Sequence, residues 1–205
     1  MSVNDCDTSV LKKQLVQNLL AVADQINRFL EVVDDEDKCL LGEFRSIRNQ
    51  IVMSEALASS FYLQCYLSPF TNQYVGLLQS IAHLSERKHG ALIVVQRQDP
   101  LSSLLAHGTM IQAKFSSSLL ESIFYPGSPL HDGAVLFQDD KIVSAAHVLP
   151  LSNKEVEDDQ KLGTRHRAAL GLSELSDAIV IVVSEETGRA SFALNGRLYV
   201  IGMAT

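Results

Sequence analysis

Cysteine is scarce: a chain of 205 residues carries three, Cys6, Cys39 and Cys65. The number is odd, the spacings are wide and no CxxC occurs. That pattern argues against a disulfide scaffold and a structural zinc site, and it fits a reducing cytosol. Basic residues are in the minority too. Seventeen Lys and Arg against 24 Asp and Glu leave a formal net charge of −7. A broad nucleic-acid-binding face needs clustered cations and is not expected, whereas a local pocket for one small anion is still allowed. The N-terminus, MSVNDCDTSV, lacks a basic stretch leading to an apolar core, so no secretory signal is expected. The most membrane-like window, 51–70, is interrupted by Glu55, Gln64 and serines such as Ser54 and Ser59. Hydrocarbon would leave those groups unsatisfied, so the window reads as a buried helix. Short catalytic signatures are missing as well: no GxxxxGK[ST], GxGxxG, GxSxG or HExxH, and no kinase set.

What is present is a core-forming chain, 46% hydrophobic. Leu15, Leu19, Val22, Ile26, Phe29 and Val33 alternate in steps of four and three, as do Leu40, Phe44, Ile47, Ile51, Ser54, Ala58, Phe61 and Cys65. Each series is a seam along one side of a helix. The polar break Asp34-Asp35-Glu36-Asp37 between them suits a helix N-terminus, where the macrodipole is positive. Residues 1–65 therefore predict an antiparallel helical hairpin, which packs on the rest of the protein or binds a partner. After Pro69 the pattern changes. Helices are expected over 70–86, 117–124 and 162–175. Strands are expected over 91–95, 109–115, 134–137, 142–147 and 178–183, with one or two more over 190–201. The fold class is α/β (α+β), a mixed β-sheet flanked by helices over 66–205, preceded by the two-helix hairpin.

Two segments carry chemistry. In Pro129-Leu-His-Asp-Gly-Ala-Val-Leu-Phe137 an acid precedes a glycine at the mouth of an apolar strand. Asp132 can meet a metal or a hydroxyl there, while Gly133 admits a close backbone approach; a plain turn before a strand is the alternative. His131 is either a metal ligand or a partly buried histidine. In Gly163-Thr-Arg-His-Arg167, Thr164 reads as an N-cap and puts Arg165, His166 and Arg167 in the first turn of a helix. Cations there oppose the dipole at a cost of about 0.3–1 kcal/mol each, so the pattern points to a bound anion. Pairing of the arginines with the acidic stretch 155–159 is the alternative. Ser184-Glu185-Glu186 follows a strand, where acids suit either a site or a turn. His83, His89, His107 and His147 have no ligand spacing and read as structural.

Together, His-Asp-Gly-Ala at 131–134 and Gly-Thr-Arg-His-Arg at 163–167 resemble the paired DGA and RHR motifs of the diadenylate cyclase (DAC) family. Leu149-Pro-Leu-Ser152 and Ser184-Glu-Glu-Thr-Gly188 are similar to its intervening segments. The resemblance covers roughly 70–205. A two-helix unit without membrane spans resembles the soluble, cytoplasmic, sporulation-associated CdaS type.

The resemblance implies condensation of two ATP molecules into cyclic di-AMP with release of two pyrophosphates. It implies that Asp132 binds Mg²⁺ or Mn²⁺ and helps activate the ribose 3′-hydroxyl, with His131 and Glu186 as further metal candidates. Gly133 and Ala134 would let the backbone lie close to the nucleotide. Gly163, Thr164, Arg165, His166 and Arg167 would hold phosphates, Ser184 and Glu186 would sit beside phosphate or metal, and Leu149 would contact adenine. Each product phosphodiester joins one ATP's 3′-oxygen to the other's α-phosphorus, so two sites must face each other across a two-fold dimer. The expected partners are thus ATP and copies of this chain, as a dimer or a higher homo-oligomer, with no nucleic acid and no membrane. The helices are expected to restrain activity. The rival functions are a non-catalytic nucleotide-binding sensor or assembly module and a metal-dependent phosphohydrolase built on His131-Asp132.

Overall fold

Ala-Leu-Ile-Val-Val at 91–95 and Ile-Val-Ile-Val-Val at 179–183 are β-branched runs too short for stable helices, and every residue in them is buried. They form the centre of a mixed sheet with helices on both faces. The computed structural model describes residues 9–33, 40–153 and 162–202. The described helices are α1 (Ser9–Glu31), α2 (Leu40–Leu67), α3 (Tyr74–Glu86), α4 (Ser117–Ile123) and α5 (Thr164–Leu175). The strands are β1 (Ala91–Val95), β2 (Thr109–Lys114), β3 (Ala134–Gln138), β4 (Lys141–His147), β5 (Ile179–Val183), β6 (Ala190–Leu194) and β7 (Arg197–Val200).

Seven strands run in the order β2-β4-β3-β1-β5-β6-β7. The β1–β3 pair is parallel and the other neighbours are antiparallel. Alternate side chains separate into two cores. Ile93, Ile181 and Phe192 pack with Leu63, Leu67, Leu77 and Leu120 from α2, α3 and α4, while Leu92, Val94, Val180 and Val182 pack with Ala169 and Leu172 of α5. Burying each large side chain contributes about 1.5–3 kcal/mol before the ordering entropy is subtracted. The hairpin at Asp139-Asp140 forms with φ of 48° and 61°, the left-handed pair a two-residue turn needs.

Several expectations shift. The helix expected over 70–86 begins at Tyr74 because the preceding stretch is held in a turn: Asp140 accepts from the Thr71 hydroxyl and from the Asn72 N–H (2.9 Å). The Thr71 bond comes first among the causes that hold the Asp140 carboxyl below the usual range. In the α1–α2 hairpin Val22, Phe29 and Ile47 are buried together, whereas Leu19, Ile26, Phe44 and Ile51 remain exposed. Two helices cover only the positions that face each other. The boundary placed after residue 65 falls inside α2. Leu63 and Leu67 belong to the main core, the Ser60 hydroxyl donates to the Gly202 carbonyl (2.9 Å), and the Gly202 N–H donates to the Ala56 carbonyl (3.1 Å). The acidic break 34–37 lies outside the described residues. The cysteine reading is corrected at one position: Cys65 is disulfide-bonded. Among the described residues no helix is long and apolar enough to cross a membrane.

Candidate active site

At one end of the sheet β1 and β3 begin, β4 and β5 end, and α5 starts. A cavity of about 760 Å³ opens there. Of the residues singled out in the sequence, Asp132, Gly133, Leu149, Gly163, Thr164, Arg165, His166, Ser184 and Glu186 line it. Ala134, His131 and Arg167 do not. Ala134 is fully buried in β3, and His131 turns its Nδ1 to the Ser128 carbonyl.

Asp132 stands exposed at the entrance to β3, and Gly133 after it has φ +114°. A Cβ on Gly133 would lie 2.8 Å from the Ala146 carbonyl carbon and 2.9 Å from the His147 oxygen. The close approach that this glycine allows is therefore to the backbone of β4. Ala146 itself is left-handed, with φ 60°, and the pairing register of β3 with β4 slips in the same stretch. Such irregularities bend a strand and re-aim the residues beyond the bend. Here they carry His147, Val148 and Leu149 along the cavity wall.

The segment after β4 is locked onto α5. The Ser152 N–H donates to the Arg167 carbonyl (3.0 Å), and Gly171 is so close that a Cβ there would meet the Pro150 oxygen at 2.2 Å. Leu149 is thereby held at the boundary of cavity and core.

The N-cap of α5 is Gly163, in extended conformation and without a side-chain bond to the first turn; Thr164, expected as the cap, is the first helical residue. The His166 and Arg167 N–H groups donate to the Gly163 carbonyl (3.1 Å each), and those of Thr164 and Arg165 have no acceptor among the described residues, which suits an anion. The three expected cations are differently placed. Burial pushes the His166 imidazole down from its usual pKa, so it is neutral at pH 7. Arg165 donates from Nη1 to Glu185 Oε2 at 2.7 Å, a pair that sits where a Cβ on Gly90 would be. Arg167 donates from Nη2 to the Ser152 carbonyl at 3.0 Å. The acidic stretch 155–159 lies outside the described residues, and the carboxylate on Arg165 is Glu185.

Sequence reasoning missed His147 and Arg189 and left Glu185 between a site and a turn; all three line the cavity. His147 had no ligand spacing. Its Nε2 meets Ser144 Oγ at 2.6 Å, burial lowers its pKa, and it is neutral at pH 7 as well. Glu185 was visible in the Ser-Glu-Glu run, but nothing in the pattern distinguished a site from a turn. Arg189 had no signal at all.

With both imidazoles neutral, Asp132, Glu185 and Glu186 outweigh Arg165 and Arg189 by one charge among the described residues that line the cavity. Among the described residues no group of three or more His, Cys, Asp or Glu is arranged to hold a metal ion. Exposed carboxylate oxygens without a complete cage fit Mg²⁺ or Mn²⁺, which take one or two carboxylates and fill other positions from substrate phosphates and water.

Residues 78–198 match the family described as DisA bacterial checkpoint controller nucleotide-binding, and residues 2–70 match the N-terminal family of diadenylate cyclase CdaS. Diadenylate cyclase CdaS of Bacillus thuringiensis is 51% identical over 193 residues, 94% of this chain and 96% of that protein. Cyclic di-AMP synthase CdaS of Bacillus subtilis is 54% identical over 170 residues, 83% of this chain and 81% of that protein. A Bacillus cereus crystal structure, described as a hypothetical membrane spanning protein, superposes with TM-score 0.80 at 50% identity, covering 96% of both chains. DacA from Staphylococcus aureus superposes with TM-score 0.59 at 40% identity, covering 63% of this chain and 85% of that one. This chain, with its paired motifs at one end of the sheet and its matched N-terminal helices, belongs to the diadenylate cyclase family.

Proposed function

We propose that this chain condenses two ATP molecules into cyclic di-AMP, releasing two pyrophosphates, with Mg²⁺ or Mn²⁺ carried in by the nucleotide. The observation that carries the reading is the convergence of Asp132 and the uncapped N-terminus of α5 on one cavity. In this mechanism the Thr164 side chain and the N–H groups of Thr164 and Arg165 bind phosphate, the Arg165 guanidinium adds charge, and neutral His166 offers a hydrogen bond. Leu149 borders adenine. Asp132 and Glu186 hold the cation, and Asp132 faces the ribose 3′-hydroxyl of the nucleotide on the opposing protomer. When bound, the cation favours the alkoxide and neutralises phosphate charge. Positioning and charge stabilisation supply most of the rate in such a transfer. His131 and Arg167 act from outside the cavity: His131 holds the loop before Asp132, and Arg167 holds the chain at Ser152.

One cavity with one ATP makes half the product, so the active species is a two-fold, face-to-face dimer. The exposed Leu19, Leu30, Leu41, Phe44 and Met53 of α1 and α2 support further self-association. The helices restrain activity by fixing assemblies in which cyclase faces do not meet. The use of ATP supports a cytoplasmic location, and the likeness to the CdaS type supports a role in sporulation. Incubation with ATP and Mn²⁺ followed by chromatography tests the chemistry. Cyclic di-AMP with pyrophosphate is expected from the wild type and none from Asp132→Asn. ADP, AMP or no turnover from the wild type would point to the hydrolase or sensor reading instead. Removing residues 1–39 leaves the core-anchoring α2 whole and is expected to raise turnover at equal protein concentration; unchanged turnover would refute restraint.

A further inference from the structure

Three arginines stand at this end of the sheet, and they are not equivalent. Arg165 is engaged by Glu185, and Arg167 is engaged by the Ser152 carbonyl and lies outside the cavity wall. Arg189 lines the cavity and is exposed, and its guanidinium makes no hydrogen bond or ion pair with any described residue. Its main chain, by contrast, is fixed. Its N–H donates to Thr187 Oγ1 (3.2 Å), and its carbonyl accepts from the Ser184 N–H (2.9 Å). Gly188 before it has φ 74°, and a Cβ there would meet the Ser85 oxygen at 2.6 Å. A free guanidinium on an anchored backbone, in a cavity whose other arginine already has a carboxylate, is equipped for an anion.

Its place indicates which part of the ligand it meets. Arg189 closes the turn 184–189, and that turn is joined to the first turn of α5 by the Arg165–Glu185 pair. The opposite wall is formed by Asp132 and the stretch from His147 to Leu149. In the cyclase reading above, with adenine at Leu149 and phosphates at the α5 N-terminus, the end of the phosphate chain would lie toward this turn.

We propose that Arg189 contacts the β- and γ-phosphates of ATP and stabilises them as they leave; this rests on the diadenylate cyclase reading above. In that step the 3′-oxygen of the facing nucleotide bonds to the α-phosphorus. The bond from the α-phosphorus to the α,β-bridging oxygen breaks, its electron pair stays on pyrophosphate, and the hydroxyl proton passes to solvent. Charge grows on the leaving group, so a guanidinium there binds the transition state more strongly than the ground state.

The test uses the full chain with Mn²⁺ and two probes without a 3′-hydroxyl, 3′-deoxyadenosine triphosphate and 3′-deoxyadenosine monophosphate, so binding is read without turnover. Arg189→Gln is expected to weaken the triphosphate about tenfold and leave the monophosphate within twofold, with an unchanged thermal midpoint. Arg189→Lys, which keeps the charge, is expected to lose about threefold for the triphosphate alone and provides a second reading should the glutamine variant fold poorly. Triphosphate affinity within twofold of wild type, or equal losses for both probes, would overturn the role of Arg189 while leaving the cyclase reading intact. A wild-type protein that binds neither probe would overturn that reading itself.

Discussion

Gly133→Ala isolates the contact on which the geometry of the cavity depends. Two costs apply. A φ of +114° is outside the regions an L residue favours, a penalty of about 1–3 kcal/mol. The new methyl would also stand 2.8–2.9 Å from three backbone atoms of Ala146 and His147, whereas ordinary contact begins at 3.4 Å. Backbone cannot swing aside as a side-chain tip can, so β3 and β4 must separate by roughly half an ångström, and overpacking of this kind costs about 1–3 kcal/mol. The expected loss is about 2–6 kcal/mol, which for a chain of this size lowers the thermal midpoint by roughly 5–20 °C. Gly127→Ala is the matched control. Its φ is +93°, but nothing lies within 4 Å of the added Cβ, so it bears the conformational cost without the collision. Circular dichroism melts of the two variants measure the difference. Cyclic di-AMP formation well below the midpoint measures displacement of Asp132, expected to cost about a hundredfold. Equal melting losses for the two variants would refute the contact argument, and wild-type turnover in Gly133→Ala would detach the glycine from the site.

Glu185→Gln removes the carboxylate that competes for Arg165. Eliminating one charge about 4 Å from a phosphate in water is worth about 1 kcal/mol, so the KM for ATP is expected to fall about fivefold; a rise would mean that the pair positions Arg165 for the substrate. Acidification is expected to destabilise the fold through His147 and His166. Burial depresses both folded-state pKa values below the unfolded value of about 6.5, so the unfolded chain takes up more protons as pH drops through that range. Stability is full above pH 6.5 and falls below it. Melts at pH 7.5 and 5.0 should show this drop and a smaller one in His166→Gln; an identical drop in that variant would exclude His166.

Much of the fold was legible because the relevant forces act over short stretches of chain. The β-branched runs at 91–95 and 179–183, the Asp139-Asp140 turn and the helical seams each declare a local structure through spacing and propensity. Helix starts were less legible. Tyr74 opens α3 where residues 70–86 looked uniformly helical, because Asp140, 69 residues away from Thr71, holds that stretch in a turn. The same contrast holds at the site. Asp132-Gly133 and the 163–167 segment announced themselves by unusual residue types: an acid before a glycine, and cations where a helix dipole disfavours them. What those residues do is decided by partners far off in the chain. Gly133 abuts Ala146, Arg165 meets Glu185 over Gly90, and Arg167 reaches back to Ser152. The sequence by itself determined the elements, the two motifs and a net charge unsuited to a nucleic-acid surface. The tertiary structure alone decided which charges are already spent on protein partners, that His147 joins the cavity wall, and that the uncommitted cation there among the described residues is Arg189. The division is physical. Propensity and periodicity are properties of neighbours along the chain, whereas a charge's availability depends on whatever folding brings within hydrogen-bonding distance.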